Sequence, residues 1–184
     1  YRFRLYPNTE QQTLIQKTFG CARFVYNHFL AQRIAEYKAT GKAPTRFQQD
    51  KGLTVLKQEI EWLREPDKCA LQNSLKDLDT AYKNFFRRVK NGEKSGFPKF
   101  KSKRSHRKSY KTNSNIAVLG NYVRLPKLGK VKCRVSKEVR GRILSATVAQ
   151  NPSGKYFVSL CCTDVEIAPL PSTGAVVGFD MGLK

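Results

Sequence analysis

Asp180 is the residue of this sequence best suited to metal chemistry. It stands in Gly178-Phe179-Asp180-Met181-Gly182, directly after the apolar run Ala175-Val176-Val177. A carboxylate ending a buried strand, between glycines that allow close approach, suits a divalent cation. In two-metal nucleases several such carboxylates hold a cation pair that activates water and stabilises the leaving oxygen. One aspartate cannot do this alone, so the remaining acids would come from beyond Lys184. The same five residues would equally serve as a plain strand-end turn. No phosphate-binding G-x-x-x-x-G-K-[ST] loop and no H-E-x-x-H pair occurs. His28 and His106 do not sit at metal-ligand spacing with Cys21, Cys69, Cys133, Cys161 or Cys162. These five cysteines are scattered and odd in number, which fits reduced, structural thiols of a cytosolic protein.

The second chemistry is phosphate binding. The 184 residues include 35 Lys+Arg against 14 Asp+Glu, a formal charge of +21. Such an excess would self-repel on a compact body, and a polyanion is its natural counterweight. With 8 Tyr, 11 Phe and 1 Trp beside it, nucleic acid is the first choice. An anionic membrane is the weaker reading, because no apolar stretch approaches a spanning length of about 18 residues and no signal-peptide pattern opens the chain. Charge is most one-sided from Arg87 to Lys111, where eleven Lys/Arg meet a single acid, Glu93. Phe97, Phe100 and Tyr110 within that run predict a segment anchored at points and laid along a polyanion, against the alternative of a solvated basic tail.

Elements must position these groups. Arg2-Phe3-Arg4-Leu5-Tyr6 alternates as a strand that Pro7 ends. Asn8 to Gln11 then reads as a capping box. Leu14, Ile15, Phe19, Ala22, Tyr26, Phe29, Leu30, Ile34 and Tyr37 predict a long helix closing near Gly41. Arg23, Asn27 and Arg33 flank its apolar stripe, either for phosphate or for helix-packing hydrogen bonds. A shorter helix is expected around Leu53, Leu56, Ile60 and Leu63. Pro66-Asp67 opens another, with Leu71, Leu75, Leu78, Tyr82, Phe85 and Val89 on one face and Asn91-Gly92 at its end. Tyr82, Phe85 and Phe86 read as core. Lys68, Gln72, Asn73 and Lys76 begin a polar face free to meet a groove.

After Thr112 the period becomes two. Lys130 to Val135, Ile143 to Gln150 and Lys155 to Val165 read as strands, the last two joined by a turn at Asn151-Pro152-Ser153-Gly154. Four to six strands would close a small barrel, and Arg2–Tyr6 would belong to it because an isolated strand has nowhere to pair. Pro169 to Gly174 reads as a linker. Without an initiator Met, and stopping just after Asp180, the chain reads as part of a longer protein.

Several stretches together resemble the TnpB family, transposon-encoded RNA-guided DNA endonucleases related to the type V CRISPR effectors. They are Phe3-Arg4-Leu5-Tyr6-Pro7, Phe19 to Asn27, Ala70 to Leu75 with Ala81 to Phe86, Gly96 to Lys101, and Gly178 to Lys184. The resemblance implies an α+β fold, in which a small OB-like β-barrel (the wedge, 1–7 and 111–171) is interrupted by a helical recognition domain (8–108). It is followed by the first strand of an RNase H-like RuvC nuclease domain (175–184). It implies a guide RNA and double-stranded target DNA as partners and Mg²⁺ in the completed nuclease domain, with Asp180 its first ligand. The family's zinc-binding CxxC pairs lie outside this chain. By position, Lys68, Gln72, Thr112 and Asn113 would face a short DNA motif beside the target, since Gln and Asn pair with adenine edges and Lys reaches guanine acceptors. Capping the helix or touching only phosphate is the alternative, above all for Thr112 and Asn113. Arg23, Arg87, Arg88, Lys99, Lys101, Lys103 and Arg104 would grip backbone without reading sequence.

The function expected is therefore the nucleic-acid-binding front part of an RNA-guided endonuclease, cytoplasmic and nucleoid-associated when bound to DNA. This stretch alone would not cleave. A cleavage-deficient RNA-guided binder and a guide-independent RNA/DNA-binding protein are the alternatives.

Overall fold

The computed structural model describes residues 1–105 and 108–165 and positions 174, 176 and 178. The chain enters through β1, Arg2–Tyr6, whose alternation turns Phe3 and Leu5 inward and Arg2, Arg4 and Tyr6 outward. Asn8 then caps α1, Thr9–Thr40. Its side chain accepts from the Gln11 amide at 2.8 Å, and the Gln11 side chain accepts from the Asn8 amide at 3.1 Å. The Gln11 amide group also donates to the carbonyls of Leu128 and Lys130, so the residue that starts the helix fastens it to the sheet. Gly41 ends α1 with φ 71°, a left-handed conformation that costs glycine little, and its N–H closes on the Tyr37 carbonyl.

The 32-residue α1 serves two cores. Ile15, Phe19 and Ala22 pack with the sheet, while Val25, Tyr26, Phe29 and Leu30 pack with helices. α2, Arg46–Glu59, starts from a second capping box at Thr45 and Gln48 and buries Leu53 and Leu56. A 3₁₀ turn, Glu61–Arg64, tucks Leu63 away. α3, Lys68–Lys90, buries Cys69 through Leu78 on one face, and its remaining turns reach past that core.

The sheet is antiparallel throughout. Its later strands are β2 (Lys108–Thr112), β3 (Ala117–Leu119), β4 (Tyr122–Leu125), β5 (Gly129–Arg134), β6 (Arg142–Gln150) and β7 (Tyr156–Thr163), in the order β2-β6-β7-β1-β5-β4-β3. β1 is thus an interior strand, pairing Arg4 with Arg134 on one side and Phe157 on the other. The first strand does belong to the later β-unit.

The expected closed barrel is not formed. Among the described residues β2 and β3 share no ladder, and the seven-stranded sheet is open between them. It is nevertheless curled. Thr112 and Ala117 are joined by a chain that reaches at most about 19 Å, whereas a flat sheet of this order would hold their strands about 29 Å apart. Curling brings Tyr110 of β2 and Val123 and Leu125 of β4 into one core. The seam stays open because β3 is only three residues long and uses its ladder on β4. The linker over 169–174 and the nuclease strand over 175–184 fall almost wholly outside the described residues.

Candidate nucleic-acid interface

α3 meets β2 at a joint built from polar residues. The Thr112 hydroxyl donates to the Asp67 carboxylate at 2.6 Å, and both residues are buried. Asp67 precedes the first turn of α3 but makes no side-chain cap bond, its carboxylate being turned to Thr112. Asn73, also buried, donates to the Lys111 carbonyl at 2.8 Å and to the Asn113 side-chain oxygen at 3.1 Å. Cys69 lies 3.4 Å from the Ser114 hydroxyl. The loop after β2 is therefore strapped along the first turns of α3, beside Lys68 and Gln72, which stand one turn apart and exposed.

This geometry sorts the expected motif-facing residues. Lys68, Gln72 and Asn113 are exposed and share one region. Thr112, at 0% exposure with its hydroxyl committed, presents nothing to a base and is a joint instead. Asn73, expected on a free polar face, is a strap for the same reason. Sequence spacing placed both on the right element but could not show partners some 40 residues away.

The basic segment after α3 is held at defined points. Phe97 rests edge-on against Tyr82 and Phe85 with ring centres 5.6 and 5.5 Å away, and Pro98 is buried. Asn27 clamps the backbone of Lys101 from both sides, donating to its carbonyl at 2.9 Å and accepting from its amide at 2.8 Å. The adjacent Tyr26 carries the Lys101 ammonium over its ring at 4.1 Å. Tyr110 is buried beside Phe19, at 5.8 Å between ring centres, and burial drives its phenol pKa well above the ordinary tyrosine value. Phe100, expected as an anchor, is 57% exposed and anchors nothing. Asn27 is thus a structural clamp, one of the two roles its position allowed.

Under this strap lies a cleft of about 480 Å³, lined by Arg23, Lys101, Lys103, Lys108 and Lys111 together with Asp77. Lys103 and Lys108 also line a smaller neighbouring hollow with Arg104, next to the β6–β7 turn. Arg23, Lys101, Lys103 and Arg104 are therefore brought together, and Lys108 and Lys111 join them. The sequence reading counted those two in the basic run from Arg87 to Lys111 without singling them out; the structure places them on strand β2. Lys101 is only half available. Burial lowers its ammonium pKa from the ordinary lysine value, with Asp77 opposing that shift from 3.9 Å away. Lys99, Arg87 and Arg88 are exposed but do not line the cleft.

The far end of α3 departs from expectation. Tyr82 and Phe85 are half-buried and Phe86 is 60% exposed, because α1 covers this end of the helix only in part. With Phe97, Tyr37 and Ile34 they line an apolar groove of about 970 Å³. Arg33 lies beside it at 7% exposure. It donates to the Pro44 carbonyl, pairs with Asp79 at 3.4 Å and stands 4.7 Å from the Tyr82 ring centre. Its role is helix packing.

No group of three potential metal-ligating side chains occurs among the described residues, and Asp180 lies outside them. Among the described residues no helix is long and apolar enough to cross a membrane. The five cysteines are free thiols, with Cys161 exposed and Cys162 turned toward the core, on opposite faces as a strand requires. Burial raises the Cys21 pKa to about 11, so it stays a thiol at neutral pH.

Residues 1–42 match the model of a helix-turn-helix domain of the OrfB/IS605 type; here they form β1 and the unbroken α1 rather than two helices joined by a turn. The whole chain is 32% identical to a protein of Streptomyces pristinaespiralis that carries the name of an RNA-guided DNA endonuclease. It is 31% identical to InsQ of Escherichia coli K12, which carries the same name. The chain spans 46% and 45% of their lengths, about half of each. Over 54% of this chain it is also 32% identical to the virulence protein VsdF of Salmonella dublin, covering 88% of that protein.

Proposed function

The chain belongs to the TnpB family of transposon-encoded RNA-guided DNA endonucleases, and we propose that it is the part of such an enzyme that holds guide RNA and reads a short motif beside the DNA target. The observation that carries this reading is the pinned basic strap, which closes a cationic cleft directly beside the α3–β2 joint. Lys68, Gln72 and Asn113 would read base edges in the major groove, with Lys to guanine acceptors and the amides to adenine. Thr112 and Asn73 would hold them in place. Arg23, Lys101, Lys103, Arg104, Lys108 and Lys111 would neutralise phosphates and fix register without reading sequence, and Arg87, Arg88 and Lys99 would extend that grip. Pairing with the guide would read the remainder of the target.

In this proposal the wedge is residues 1–7 and 111–171 and the recognition domain is the helical insert 8–108; β2, which starts at Lys108, lies across their boundary. Asp180 would be one Mg²⁺ ligand of a RuvC-type site whose other carboxylates lie beyond Lys184. The metal pair would supply an activated water and neutralise the leaving oxygen.

The test uses the full-length protein purified with its co-expressed RNA, supplied with Mg²⁺ and matched target DNA. Asp180→Ala is expected to abolish cleavage and retain target binding. Lys68→Ala with Gln72→Ala is expected to weaken discrimination of the adjacent motif by about 1–3 kcal/mol per lost contact. Cleavage that persists in Asp180→Ala, or co-purified RNA without a defined sequence, would overturn the reading.

A further inference from the structure

The outer face of the sheet carries an arrangement that stability does not explain. On β1, Arg2 and Arg4 point away from the core, and on β5 so do Lys130, Lys132 and Arg134. Arg124 joins them from β4. Register sets like charges opposite one another, Arg4 against Arg134 and Arg124 against Lys130. Directly opposed like charges destabilise a sheet. Strands β1, β4 and β5 contain no Asp or Glu, and among the described residues none of the six cations makes an ion pair with a carboxylate. Lysines on an edge strand guard against aggregation, but β1 and β5 are interior strands with a neighbour on each side. Edge protection therefore does not account for them.

Aromatic rings alternate with these charges. Lys132 stands opposite Tyr6 on one side and Tyr122 on the other. Tyr6 is 47% and Tyr122 44% exposed. Arg4 lies over the rings of both Tyr6 and Phe157, at 5.3 and 5.6 Å, and Arg2 over Phe157 at 4.6 Å. The Arg4 Nε is buried with no acceptor. Rings and guanidinium planes interleaved with unneutralised ammonium groups are what unpaired nucleotides require: stacking surfaces for bases and cations for phosphates. A duplex would use the charges alone, since its bases are already stacked.

We propose that the outer face of β1, β5 and β4 is a platform for an unpaired nucleic-acid strand, separate from the cleft at the α3–β2 joint. The proposal rests on the nucleic-acid reading above but on different residues, so motif-dependent cleavage can survive its failure. Tyr122 supplies a stacking ring; Tyr6 and Phe157, backed by Arg4 and Arg2, continue the surface. Lys132 and Arg134 hold the intervening phosphates.

The full-length protein, freed of RNA in high salt, is titrated with labelled oligouridine, oligothymidine and a blunt DNA duplex across a range of salt. Tyr122→Ala is expected to weaken both single strands about tenfold and leave the duplex and the salt slope unchanged. Lys132→Gln is expected to lower the single-strand salt slope by about 0.7. Tyr122→Phe, which keeps the ring, should bind as the parent does and separates lost stacking from lost folding. A preference for oligouridine assigns the platform to RNA, and equal binding assigns it to bases and phosphates common to both. Equal weakening of duplex and single strands by Tyr122→Ala, loss of binding in Tyr122→Phe, or no change in either Tyr122→Ala or Lys132→Gln would overturn the proposal.

Discussion

Arg33 shows how one residue type carries two meanings until its surroundings are known. Beside the apolar stripe of α1 it could have reached phosphate or packed a helix. Asp79, 46 residues on, decides for packing, together with the Pro44 carbonyl and the Tyr82 ring. No local spacing encodes that partner, which is why the sequence left the choice open. Asp79 also receives Lys83 at 2.9 Å. Burial alone would raise its pKa, but the hydrogen bonds and charges of Lys83 and Arg33 hold it below the ordinary carboxylate value. A carboxylate depressed by folding adds stability above its unfolded pKa and loses that contribution as pH falls through its folded value. Stability measured by thermal unfolding should therefore decline below about pH 4 partly through this group, and Asp79→Asn should flatten that part of the profile. Asp79→Ala leaves Arg33 buried without a carboxylate and is expected to cost about 3 kcal/mol in denaturant unfolding. A loss under about 0.5 kcal/mol would mean that Lys83 alone, at the surface, engages Asp79.

At the scale of elements, the helices were legible where their ends carry chemistry. Asn8 with Gln11, Gly41 and Asn91-Gly92 marked boundaries that the structure keeps to within a residue or two. The reading of α3 held in part at Tyr82 and failed at Phe86 for a physical reason: periodicity tells which side chains share a face, but not whether another element covers it. Tyr82, Phe85 and Phe86 share the face of Leu71 and Leu75, yet α1 covers only Tyr82 closely, and Phe86 is left 60% exposed. The strap after α3 was legible as an anchored segment, but its main fastening was not, because Asn27 lies 74 residues away. Its two bonds fix the backbone of the strap rather than any charge. Asn27→Ala should consequently speed cleavage by trypsin at Lys99 to Arg104 several-fold, while the thermal midpoint of the helices stays nearly unchanged, because this half-exposed amide adds only about 1 kcal/mol per bond. Asn27→Asp keeps the acceptor and should show an intermediate rate. Equal rates in all three proteins would show that Phe97, Pro98 and Tyr110 suffice to hold the strap.

For the whole molecule, the charge was legible as a number and its arrangement was not. Strand order put β1 between β5 and β7, and only that topology assembles the cations of the outer face from distant parts of the chain. It also leaves the seam beside β2 open, where a barrel drawn from strand count alone would close. The cleft side of the molecule collects Arg23, Lys101, Lys103, Lys108 and Lys111. If these five meet phosphates of a duplex, the logarithm of affinity should fall with the logarithm of salt with a slope of about −4.5, or about 500-fold between 50 and 200 mM. They are not equivalent, however. Lys101 is engaged by Tyr26 and Asp77, and part of what it gains from a phosphate replaces contacts it already has. Lys103 makes no ion pair among the described residues and gives its charge in full. In duplex titrations against salt, Lys103→Gln should thus reduce the slope by about one, and Lys101→Gln by clearly less. Equal reductions would show that Lys101 leaves its partners fully on binding, and that the strap is rearranged by the nucleic acid instead of being set in advance for it.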